Sequence, residues 1–119
     1  MRSLILVLVA TLATPAFADP GDDAIASAKK IVETVAPVVI QTRDSCGDLP
    51  LVDKAIASVA KDVEVVKQGW KDKAIAKRLH ALLDKEDNPT GEQNAKAQGA
   101  AIHCSKISLS YLKALGGPH

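Results

Sequence analysis

Apolar residues recur along much of this chain at alternating steps of three and four, which is the spacing of a buried helix face. The first such face begins just after Asp22 and Asp23, two residues that suit an N-cap and the positive end of a helix. Because the spacing continues through Pro37 without a phase change, it predicts one helix with a kink near Pro37 that stops at Gly47. The residues on this face are Ile25, Ala28, Val32, Val35, Val39, Thr42 and Cys46.

Two further helices are predicted by the segment that follows. Pro50 suits the first turn of the second helix, since its missing N–H costs nothing there. The apolar face of this helix comprises Val52, Ile56, Val59, Val63, Val66 and Trp70. Gly69 marks an end or bend, and the third helix is expected to stop near Glu86. Its apolar face comprises Ile75, Leu79, Leu82 and Leu83.

A fourth helix is predicted from Thr90 to the glycines at 116–117. Thr90 and Gln93 have the spacing of a capping box. Two apolar faces run side by side along this helix, so we expect it to contact two neighbours. One face comprises Ile102, Leu109 and Leu112, and the other comprises Ala97, Ala101, Cys104, Ser108, Tyr111 and Leu115. The short β-branched run at 38–40 is the one place where a strand competes, and helix is preferred there.

Four helices joined by short links predict an all-α fold, a small antiparallel bundle. In a regular bundle, Cys104 would lie about twelve residues into the fourth helix, roughly 18 Å from its start. A disulfide from Cys46 allows only about 4 to 7 Å between Cα atoms. The bundle is therefore expected to be offset or splayed.

Residues 1–18 are typical of a secretory signal peptide. Arg2 precedes the apolar run Leu4–Ala10, and the small-x-small triplet at 16–18 predicts cleavage after Ala18. The apolar run is too short for a membrane-spanning helix, which needs about 20 residues. We therefore expect a single mature domain, 19–119, that is secreted to the extracellular space or to a bacterial periplasm.

Export makes a disulfide the preferred state of Cys46 and Cys104, the two cysteines of the chain. A redox pair or a thiolate ligand is less favoured, because the two are not spaced as Cys-x-x-Cys. Intermolecular pairing is left open.

Composition and motifs disfavour several classes of function. The 119 residues carry 15 basic and 14 acidic side chains, a net charge of +1 that points to no polyanionic partner. Nucleic-acid binding is not expected, since the mature chain keeps only Trp70 and Tyr111 for stacking on bases. His80, His103 and His119 lack metal-ligand spacing, and no nucleophile or phosphate-binding motif occurs. The sequence thus predicts no enzyme, no cofactor and no metal.

A basic amphipathic helix at 70–83 is the one local feature that suggests a binding site. Trp70, Lys73, Lys77 and Arg78 form its candidate interaction face, although an ordinary solvated helix surface is the more common explanation of such a pattern. Three functions follow as hypotheses. The first is a protein–protein interaction through a helix face, the second is carriage of a small apolar ligand in a groove between the first and fourth helices, and the third is membrane or defence activity of the basic helix. The sequence leaves the partner and the oligomeric state open.

Overall fold

The computed structural model describes residues 19–84 and 87–116, which form six helices and a short 3₁₀ turn with no strand among them. The expected signal peptide, the expected helix end near Glu86 and His119 lie outside the described residues. The helices are α1 (Pro20–Gln41), α2 (Leu49–Ser58), α3 (Ala60–Gly69), α4 (Lys73–Asp84), α5 (Pro89–Ala101) and α6 (Ser105–Ala114), with the 3₁₀ turn at Cys46–Asp48. The all-α prediction is confirmed, whereas the predicted number of four helices was wrong.

α1 begins earlier and ends earlier than the sequence predicts. Asp19, rather than Asp22 or Asp23, is the N-cap, and its carboxylate accepts the N–H of Gly21 at 3.0 Å. As predicted, one helix passes through Pro37. It ends at Gln41 and not at Gly47. Thr42 is the C-cap, where its backbone N–H and its hydroxyl both donate to the carbonyl of Val38, the hydroxyl at 2.9 Å.

The second predicted helix is two helices, α2 and α3. Val59 separates them with φ −119° and ψ 29°, outside the helical range. One residue earlier, the hydroxyl of Ser58 donates to the carbonyl of Ala55 at 2.6 Å, an alternative that competes with the helical hydrogen bonds of that turn. The side chain of Val59 is still buried, so the apolar spacing continues across the break and conceals it.

The fourth predicted helix is also two helices, α5 and α6. The N-cap of α5 is Asn88, whose side-chain oxygen accepts the N–H groups of Thr90 and Gly91 at 2.8 and 3.3 Å. The prediction of a capping box formed by Thr90 and Gln93 was therefore wrong. α5 ends at Ala101, and Cys104 is extended, with φ −141° and ψ 114°, before α6 starts. The apolar spacing does not reveal this break, which places Cys104 between two helices and not inside a continuous fourth helix.

α1 is the centre of the molecule and packs against all five other helices. Its buried face carries small and β-branched side chains, among them Ala28, Val32 and Val35. α3 approaches it closely, since a Cβ placed on Gly69 would stand 2.9 Å from the Cβ of Ala24. The same pair of helices is joined by the hydroxyl of Ser27, which donates to Asp62 at 2.9 Å. The core is thus aliphatic and tightly spaced around one helix.

Candidate functional site: the outward face of α6 and the adjoining cysteine pair

The outward face of α6 is apolar, contrary to expectation. Ile102, Leu109 and Leu112 are 79%, 60% and 37% exposed, and we call these three residues the apolar ridge. Their apolar spacing predicted a second helix neighbour, which was wrong. α6 turns Ile107 and Tyr111 into the core, so at 100° per residue Leu109 points almost directly away from it. No described helix covers this face.

The ridge is continuous with a shallow recess at the α5–α6 junction. The recess holds about 140 Å³, and Ile102 and Leu112 both line it, together with Gln98, Ala101, Ser108 and Tyr111. Ile102 therefore lies beside α6 even though it belongs to the turn before that helix. The result is one apolar surface with a depression large enough for a single side chain.

Positive charge borders the apolar ridge. Lys106 and Lys113 precede and follow Leu109 by three and four residues, so all three lie on neighbouring positions of the helix surface. Both lysines are exposed. From residue 93 to 119 the chain contains three lysines and neither Asp nor Glu. Two lysines of α6 therefore flank the ridge on the same helix.

A buried polar relay fixes α6 beneath the ridge. The hydroxyl of Tyr111 donates to the side-chain oxygen of Asn94 at 2.6 Å, and the amide of Asn94 donates to the carbonyl of Leu83 at 2.9 Å. Burial raises the pKa of Tyr111 well above its ordinary value, so the hydroxyl keeps its proton and remains a donor. The relay joins α4, α5 and α6 beneath the ridge. The apolar periodicity does not predict that Asn94 is buried, because Asn94 is polar and so does not contribute to the apolar pattern.

The face predicted at Trp70, Lys73, Lys77 and Arg78 is divided by the structure. Trp70 is half-buried, its indole N–H donates to the carbonyl of Leu115 at 2.6 Å, and its ring stands edge-on to that of His80 with centroids 4.9 Å apart. Trp70 therefore attaches α3 to the end of α6.

The guanidinium of Arg78 is engaged with the start of α1. It donates to Asp22 at 2.8 Å and lies 3.6 Å from Asp19, and the hydrogen bond to Asp22 raises its pKa. Lys73 and Lys77 are exposed on α4. Two of the four predicted residues thus serve contacts within the molecule.

Cys46 and Cys104 meet although 57 residues separate them. Cys46 lies in the exposed 3₁₀ turn and Cys104 is buried at the N-cap of α6. The two cysteines are 2.7 Å apart and are not bonded, and the sulfur of Cys46 lies 3.7 Å from the carbonyl oxygen of His103. The predicted proximity is present, whereas the covalent bond is absent.

The two thiols are electrostatically unequal. The pKa of Cys104 is lowered first by the hydrogen bond with Cys46 and then by the backbone N–H of Ile107 at the start of α6. The pKa of Cys46 is raised, chiefly by the same hydrogen bond. Cys104 is therefore the sulfur that carries negative charge more easily.

A larger recess lies between α1 and α5, in the region where the sequence predicted an apolar groove between the first and fourth helices. It holds about 340 Å³ and is open to solvent. Arg43, Lys96 and His103 line it together with Ile40, Gly99 and Ala100. Basic side chains make up half of this lining, a poor match to a fatty chain.

Within residues 19–84 and 87–116, no three His, Cys, Asp or Glu side chains are grouped so that they could hold a metal ion. Among the same residues, no helix has the length and apolar character needed to cross a bilayer. Comparison of the chain with family models, curated proteins and solved structures gives no match.

Proposed function

We propose that this protein is a small exported, non-enzymatic helical protein that binds a protein partner through the apolar ridge of α6. The observation that carries the proposal is the exposure of Ile102, Leu109 and Leu112. Ile102 and Leu112 line one recess, and Leu109 lies one turn before Leu112 on α6. Of the five large apolar residues that are exposed in the described part of the chain, three belong to this ridge, and Leu51 and Val65 are the other two. Clustered exposed apolar side chains mark interaction surfaces far more often than scattered ones do.

Charge favours one kind of partner. Lys106 and Lys113 flank the ridge, and residues 93–119 contain neither Asp nor Glu. A complementary partner presents an apolar patch bordered by Asp and Glu, because opposite charges at the rim steer association and fix orientation. We therefore propose an acidic, amphipathic protein surface as the occupant of the ridge.

The test is a quantitative pull-down from the fluid in which the protein occurs, with the tagged domain 19–119 as bait. Leu109→Ser combined with Leu112→Ser removes two of the three ridge side chains. Leu51→Ser is the matched control, since Leu51 is an exposed leucine (53%) on α2. The proposal predicts a stoichiometric protein that the control retains, that the ridge variant loses, and that is released as salt rises.

Two other outcomes would replace the proposal. Sedimentation of the protein with phosphatidylglycerol vesicles, lost in the ridge variant, would make the ridge a membrane-binding face. Lipid retained in native mass spectra by the wild type and by the ridge variant alike would favour the carrier hypothesis. Retention of the same partner by the ridge variant would contradict the proposal directly.

We also propose that the exported domain carries a Cys46–Cys104 disulfide. The 2.7 Å approach of the two residues supports it, as does the oxidising compartment that the sequence predicts. The bond would join the α1–α2 connection to the start of α6. Mass measurement of the secreted protein before and after reduction tests it, because the oxidised form is lighter by two hydrogens.

A further inference from the structure

The cysteine pair has an asymmetry that a purely structural disulfide does not require. Cys46 is exposed in a three-residue 3₁₀ turn that contains no buried residue, whereas Cys104 is 7% exposed. An external thiol therefore has freer access to Cys46 than to Cys104. In thiol–disulfide exchange, the sulfur that is attacked decides which sulfur leaves.

Cys104 is the better leaving group of the two. It is the N-cap residue of α6, a ten-residue helix, so a thiolate there lies near the positive end of the helix. Lys106, two residues on, adds a positive charge that favours the thiolate. Exchange is faster when the leaving thiol has the lower pKa. Accessibility and leaving-group stability thus favour the same direction of attack.

We propose that the Cys46–Cys104 disulfide is a thiol-exchange site, at which low-molecular-weight thiols form a reversible mixed disulfide with Cys46. A thiolate R–S⁻ attacks the sulfur of Cys46, the S–S bond breaks, and its electron pair leaves on Cys104 as a thiolate. Return of the Cys104 thiolate to the sulfur of Cys46 expels R–S⁻ and restores the disulfide. A second R–S⁻ that attacks the R–S sulfur instead leaves both cysteines reduced and releases R–S–S–R, a two-electron transfer from two thiols to the protein.

This inference rests on the proposed disulfide and is independent of the proposed partner. The test treats the oxidised domain 19–119 with reduced glutathione, stops the reaction with acid, blocks remaining thiols and locates the adduct by mass spectrometry. Trypsin separates the two cysteines, since Cys46 falls in residues 44–54 and Cys104 in residues 97–106. We expect the glutathione adduct on Cys46 to exceed that on Cys104 by about tenfold or more.

A second arm measures the rate of exchange. Lys106→Gln removes the charge beside the leaving sulfur and should slow adduct formation by about two- to fivefold. Lys61→Gln neutralises an exposed lysine on α3 and should leave the rate unchanged.

Each outcome bears on a different claim. An adduct found chiefly on Cys104, or reduction that occurs only when the domain is unfolded by denaturant, overturns the exchange site while the disulfide stands. Two free thiols that persist after treatment with oxidised glutathione overturn the disulfide and the exchange site together. None of these results depends on whether a protein partner binds the ridge.

Discussion

The side chains of Tyr111 and Asn94 show how a polar pair is accommodated in an aliphatic core. Both residues are almost fully buried, and the hydroxyl of Tyr111 donates a hydrogen bond to the side-chain oxygen of Asn94. The second hydrogen bond of Asn94 goes to a backbone carbonyl near the end of α4, where helical carbonyls lack partners within the helix. The pair therefore positions three helices without leaving a buried polar group unsatisfied.

Tyr111 should make the fold sensitive to alkaline pH. Because burial raises its pKa in the folded state above the value of about 10 in the unfolded chain, its contribution to stability is complete below pH 10 and is lost as pH rises beyond it. Tyr111 is the single tyrosine of the chain, so tyrosinate absorbance reports on it alone. We expect tyrosinate to form only together with loss of the helical circular dichroism signal.

The Tyr111→Phe variant is the control for that titration. It should lose about 1 kcal/mol at neutral pH with the hydrogen bond to Asn94, and should show a weaker fall in stability above pH 10. Tyrosinate that appears near pH 10 in a fully helical wild-type protein would show that the hydroxyl is accessible and that the relay is wrong.

At the scale of helices, the sequence predicted the class and most buried faces but not the breaks. Val52, Val59 and Val66 are buried as the periodicity indicated. The spacing gives no sign of the break at Val59, because the Val59 side chain stays buried and the apolar pattern continues across it. The cap of α5 was missed for a similar reason, since Asn88 and Thr90 both suit a helix start and only the backbone distinguishes them.

Substitution at Asn88 tests the observed cap. Asn88→Ala removes the acceptor for two N–H groups and should lower the free energy of unfolding by about 1 kcal/mol. Asn88→Asp keeps an acceptor at the start of α5 and should be close to neutral. Urea unfolding followed by circular dichroism measures both, and equal stability of all three proteins would place the cap elsewhere.

Two glycines test the close contact between α1 and α3. Gly69→Ala introduces a Cβ 2.9 Å from that of Ala24 and 3.1 Å from Ile75, and should destabilise the protein by about 1–3 kcal/mol. At Gly99, on the exposed side of α5, an added Cβ meets no atom within 4 Å. Gly99→Ala should therefore stabilise the protein by up to about 1 kcal/mol, the ordinary gain in helix propensity. Changes of the same sign at both positions would contradict the packing.

For the molecule as a whole, the apolar ridge is the main feature that was predicted wrongly, since the sequence predicted it to be buried and it is exposed. Leu109 and Leu112 follow apolar spacing as well as any core residue, so the pattern alone assigned them a neighbour. A second signal was available, since Lys106 and Lys113 alternate with Leu109 on the same side of α6. Lysines at three and four residues from an apolar position are typical of an exposed face. The charges at 70–83 are close together in sequence and therefore predicted the interaction face there instead.

Site-specific photo-crosslinking tests the ridge as a binding face most directly. A photoreactive side chain at position 109 of the domain 19–119, irradiated in the native fluid, should give one dominant adduct with an acidic protein, while the same group at position 51 gives none. The adduct at 109 should weaken with salt and should be lost when Ile102 is replaced by Ser. Equal crosslinking from both positions, or an adduct at 109 only with a second copy of this chain, would contradict the account.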